Sequence, residues 1–93
     1  MRNITADDFS DKTGTSYDVV LENGTVPVTL KEFTPLTGSP REGGAFKLLF
    51  VGPVDPVLPQ ATLPFRQGDD EIEIFIVPIA RDQAGTQYEA IFF

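Results

Sequence analysis

Carboxylates are nearly the only reactive groups this chain offers, because its 93 residues include 14 Asp and Glu but no histidine and no cysteine. The usual general base, the thiol nucleophile and the customary transition-metal ligands are therefore missing. Two acidic groups remain: Asp69, Asp70, Glu71 and Glu73, and a second group of Asp7, Asp8 and Asp11. Each offers the hard oxygen ligands that calcium takes, yet neither has the spaced loop that makes calcium binding specific. An acidic turn explains the first group and a capped helix start the second, so no metal and no cofactor are expected. Gly38 and Gly43-Gly44 match no phosphate-binding fingerprint, since they do not lie between a strand and a helix. No catalytic residue is assigned. An enzyme would have to converge Asp69, Asp70, Glu71 and Glu73 with another acid across a cleft.

The formal charge of −7 repels phosphate backbones, and the seven basic residues are scattered from Arg2 to Arg81 without a cluster. Nucleic-acid binding is not expected. The N-terminus lacks the apolar run of a secretion signal, and no apolar stretch approaches a membrane span. The reading is a chain made in the cytoplasm, with no membrane contact, that another machine could export as part of an assembly. At this length one small domain, residues 1–93, must build its core from packing without a disulfide staple.

The elements that would position any site are strands. Glu71 to Ile79 sets the fold class: Ile72, Ile74 and Ile76 alternate first with Glu71 and Glu73, then with Phe75 and Val77. That pattern describes a strand running from a sheet edge into the centre, and its β-branched residues disfavour a helix. Upstream, Thr5 to Lys12 predicts a short helix, with Thr5 as cap, Phe9 as anchor onto the sheet and Gly14 as stop.

Asn23-Gly24 predicts a two-residue hairpin turn that places Leu21 beside Val26, Val19 beside Val28 and Tyr17 beside Leu30. A bulge near Lys31 or Glu32 would return Phe33 to the core. Thr37 to Gly44 has the composition of an exposed loop, and Phe46 to Val51 reads as a third strand. The proline-rich stretch from Gly52 to Gln60 is a stiff connection pinned by Val57 or Leu58.

Ala61 to Arg66 forms a fourth strand, and Gln67 to Asp70 turns into the fifth. A last turn at Asp82 to Gly85 pairs Ile79 with Tyr88, Val77 with Ala90 and Phe75 with Phe92. No internal repeat is found at the periods of solenoids or propellers. The expected fold is all-β: a single antiparallel sheet of about six strands, curled into a small barrel or roll, with a short N-terminal helix.

At Gly52-Pro53-Val54-Asp55-Pro56-Val57-Leu58-Pro59-Gln60, then Phe75 to Ile79 and Tyr88 to Phe92, the chain resembles a bacterial domain-of-unknown-function family of short single-domain proteins. The opening Thr5 to Phe9, Gly14 and the Phe46 to Phe50 strand extend the likeness over nearly the whole chain. The resemblance implies genes that tend to sit beside those for phage tail-collar-like proteins, and so an accessory role in a tail-like or surface assembly. The matching residues read as fold determinants, and the family carries no catalytic residues to transfer.

Three functions follow as expectations. The leading one is a non-enzymatic structural or interaction protein, an accessory subunit or chaperone, that contacts a protein partner or itself. Its candidate interaction strand is the C-terminal one, with Tyr88, Ile91, Phe92 and Phe93, whose edge could pair with a neighbouring subunit. Core packing is the alternative for Phe92 and Phe93. The second is a barrel holding a small apolar or carbohydrate molecule among Phe46, Phe50, Phe65 and Phe75, and the third is the carboxylate enzyme.

Overall fold

The computed structural model describes residues 9–36, 45–55 and 57–92. Among these residues it is an all-β structure of six antiparallel strands: β1 (Ser16–Leu21), β2 (Gly24–Leu36), β3 (Ala45–Gly52), β4 (Ala61–Gln67), β5 (Asp70–Asp82) and β6 (Gly85–Phe92). They hydrogen-bond in the order β1-β2-β3-β6-β5-β4, and β4 returns to β1 through Asp18↔Arg66 and Val19↔Phe65, closing the ring. The two halves share one plan. In each, a short strand is followed by one of 13 residues and then one of eight, with a register shift between the second and third.

No helix occurs among the described residues. Phe9 to Lys12, expected to finish the N-terminal helix, instead turns: Lys12 N–H donates to the Phe9 carbonyl at 3.0 Å, and Thr15 N–H to the Lys12 carbonyl at 2.9 Å. Gly14 N–H then donates to the Leu30 carbonyl at 2.7 Å, which ties the turn to β2 instead of propagating a helix. Thr5 to Asp8 lie outside the described residues, as does the loop read at Thr37 to Gly44. Phe9 does anchor the segment, fully buried against Tyr17, Phe46 and Phe92 with ring centroids 5.8–6.5 Å apart.

The first hairpin forms one residue earlier than Asn23-Gly24 predicts. Leu21 pairs with Gly24, so the turn is Glu22-Asn23, and Val19 meets Val26 while Tyr17 meets Val28. No described residue other than glycine has positive φ; Gly24 takes φ 143° at the strand start, and Asn23 avoids the left-handed region. The pairing moves by two positions, so Tyr17, Val19, Val26 and Val28 still face inward together. The bulge at Lys31 falls where expected, between Leu30↔Phe50 and Glu32↔Leu49, and it turns Phe33 toward Phe46.

A second bulge reorganises β5. From the turn, Asp82↔Gly85, Arg81↔Thr86 and Ala80↔Gln87 follow the expected register, but Ile79 is extra and Pro78 then pairs with Tyr88 and Val77 with Glu89. Pro78 has no N–H to give the ladder, which suits a position beside a bulge. A one-residue shift exchanges faces, so Ile74 and Ile76 enter the core, while Phe75 and Ile79 lie outside, each 49% exposed. The expected pairs Ile79–Tyr88, Val77–Ala90 and Phe75–Phe92 are thereby replaced.

Gly85 marks a close approach of β6 to β3. Its φ is 141°, and a Cβ there would overlap the Gly52 carbonyl oxygen and come within 3.2 Å of Val51 Cγ1. Gly24 has a similar φ but nothing within 4 Å of a Cβ. Gly24→Ala should cost backbone strain alone, about 1–3 kcal/mol. Gly85→Ala should cost about 1–3 kcal/mol more through the clash. Denaturant unfolding of both variants checks this, and equal midpoints would refute the close approach of β6 to β3.

Candidate functional site

The acidic group at the β4–β5 turn is spread out, not convergent. Asp69 sits in the turn, Asp70 opposes Gln67, Glu71 opposes Arg66 and Glu73 opposes Pro64, all exposed. Glu71 and Glu73 point outward because Ile72 and Ile74 between them take the inner face. Among the described residues no three acidic side chains gather closely enough to hold a metal ion. Of the second group, Asp11 is exposed in the first turn, and Asp7 and Asp8 lie outside the described residues.

The C-terminal strand is paired on both sides over Thr86 to Glu89, and beyond Glu89 it is registered against β3 alone among the described residues. β3 flanks β6 from Phe92 to Thr86, and β5 flanks it from Gly85 to Glu89. Tyr88 is fully buried, and Phe92 stacks on Phe46 with centroids 4.7 Å apart. Of the four residues expected to form the interaction strand, Ile91 alone is shown on the outer face, 42% exposed; Phe93 lies outside the described residues. The four phenylalanines suggested for a ligand site also separate. Phe46, Phe50 and Phe65 are buried, with Phe50 and Phe65 centroids 5.0 Å apart, while Phe75 faces solvent.

A different arrangement does come together, on the outside of β5, β6 and β3. Val77, Glu89 and Leu49 lie in one row across the three strands, with Gln87 and Val51 on one side and Ile91 and Lys47 on the other. Phe75 and Ile79 extend the β5 column at its two ends. Leu49, Ile79, Gln87, Glu89, Lys47 and Glu32 line a depression of about 130 Å³. That is well under the ~300 Å³ at which ligand pockets begin. Lys47 Nζ lies 4.0 Å from the Glu89 carboxylate, half-exposed, a pair worth little by itself. The surface is an apolar patch crossed by a charged pair. The proline at position 78 was the signal for it in the sequence, since a bulge there reverses which residues face out.

A family model described as a domain of unknown function, DUF6916, matches residues 4–92. The chain belongs to the DUF6916 family. No curated protein and no solved structure matches it. In this DUF6916 chain Tyr88, one of the candidate residues, has a structural duty: its hydroxyl accepts a hydrogen bond from Leu58 N–H at 2.7 Å inside the protein. Leu58 is buried, whereas Val57 is 43% exposed, so Leu58 is what pins the proline-rich connection. Thr86 Oγ1 donates to the Val54 carbonyl at 3.4 Å, and Arg81 bonds the exposed Asp55 at 2.8 Å, holding the same segment over the β5–β6 hairpin.

Tyr88→Phe removes the acceptor and leaves the buried Leu58 N–H without it, a loss of about 1–3 kcal/mol. Amide exchange at Leu58 should accelerate more than exchange in β1 or β2. Unchanged exchange would mean that the hydroxyl does not hold the connection.

Proposed function

We propose that this DUF6916 protein is a small, barrel-like, non-enzymatic interaction protein, an accessory subunit or chaperone that works by covering part of a protein partner. The observation that carries this reading is the outer face of β5, β6 and β3, where Phe75, Ile79 and Ile91 are exposed beside half-buried Leu49 and Val77. Exposed large apolar residues on neighbouring strands are costly to leave in water, and a partner that covers them recovers that free energy. A phage-tail-like or surface assembly is the proposed setting, and it rests on the resemblance drawn from the sequence.

The test is mass measurement of the purified protein, alone and mixed with the products of neighbouring genes. Association is expected with at least one of them or with itself. It should be lost in the double variant Ile79→Asp/Ile91→Asp, whose fold should persist because both side chains face solvent, with stability changed by about 0.5 kcal/mol or less. A strict monomer that binds none of these products would sink the reading.

A further inference from the structure

β5 changes partner midway. Asp70 to Ile76 pair with β4, Val77 to Asp82 pair with β6, and the β5–β6 ladder ends at Val77↔Glu89 although β6 continues through Ala90 and Ile91 along β3. The side of Glu71–Phe75 turned away from β4 therefore has no strand registered against it among the described residues.

The other half of the chain has the matching position and closes it. Gly24 to Val28 pair with β1 before β3 pairing begins at Thr29↔Val51, but this stretch contains Pro27, which lacks an N–H, and a Cβ added at Gly52 would come within 3.0 Å of Val28 Cγ1 and 3.5 Å of the Pro27 carbonyl. Glu71–Phe75 contains no proline and keeps every backbone donor. Proline blunts one edge; the other retains what a further strand needs.

We infer that Glu71–Phe75 is a docking edge for an extended segment of a partner that alternates apolar and basic side chains, adding a strand beside β5. The alternation follows from the faces. Glu71 and Glu73 point outward, where a neighbouring strand would present its basic residues, and half-buried Ile72 and buried Ile74 lie on the inner face, where its apolar residues would pack. Exposed Phe75 and Ile91 flank the site. Exposed Asp69, Glu71 and Glu73 lie together around the turn, with Arg66 opposite Glu71, on a chain of net charge −7, so the local field favours a cationic partner. A second copy is the wrong occupant, because fully overlapped antiparallel pairing along this edge would set Glu73 against its own copy, with Glu71 diagonal to it. The inference deepens the contact function proposed above and rests on it.

The experiment uses the full chain and four synthetic ten-residue peptides: one alternating lysine with isoleucine, one with glutamate in place of lysine, and the lysine peptide N-methylated along one edge or along the other. Nuclear magnetic resonance titration and amide exchange should show the lysine peptide protecting amides within Glu71–Phe75. The glutamate peptide should bind at least about tenfold more weakly. Methylation of one of the peptide's two edges should abolish binding, and Glu73→Lys, at an exposed position that should not disturb folding, should shift the preference toward the glutamate peptide.

Absence of binding, protection elsewhere, affinity indifferent to charge, or affinity unchanged by methylating either edge each overturns the inference. If the chain still associates with neighbouring gene products through Ile79 and Ile91, the contact function stands without the docking edge. If it associates with none, the broader reading fails as well.

Discussion

Two strands of 13 residues must each serve two neighbours, and the whole ring depends on their doing so. β2 passes from β1 to β3 at Thr29, and β5 passes from β4 to β6 between Ile76 and Val77. A strand can change neighbours in this way only by bending and twisting, which an added residue in the ladder permits. The bulges at Lys31 and Ile79 lie just past these transfers. They also decide which side chains enter the core: the first brings Phe33 back toward it, and the second puts Ile79 outside.

Aromatic packing fills the space so enclosed. Tyr17, Phe50 and Phe65 contact one another across β1, β3 and β4, with Tyr17 and Phe50 meeting edge to face at 5.8 Å. Phe9, Phe33, Phe46 and Phe92 make a second group from three strands and the first turn. Each fully buried ring contributes about 1.5–3 kcal/mol, which helps a chain without cysteine hold together. Side chains thus occupy the positions where a ligand-binding reading would place a guest, and Phe75, the fourth ring of that reading, lies on the opposite side of the sheet. The outer surface of β5, β6 and β3 is where unsatisfied apolar area remains.

Much of this was legible in the sequence, because the signals were local. Alternation over Phe46 to Val51 and over Ile72 to Ile76 set strands and faces, since side chains in a strand repeat every two residues. Prolines and glycines marked the turns, and Phe33, stranded on the wrong face by strict alternation, revealed the first bulge. The absence of histidine and cysteine bounded the chemistry by composition alone. Tertiary structure decided the rest. Whether Asn23-Gly24 or Glu22-Asn23 forms the turn depends on β2 meeting both neighbours, because either choice keeps the same faces inward. Phe9 to Lys12 was drawn into a turn because Gly14 bonds to Leu30 across the fold, which the local capping pattern could not show. The second bulge was hidden because Phe75, Val77 and Ile79 form as apolar a row as Ile72, Ile74 and Ile76; with both faces able to pack, the choice fell to Pro78 and the approach of β6. The candidate surface follows from that choice, a property of how two strands meet and not of either strand alone.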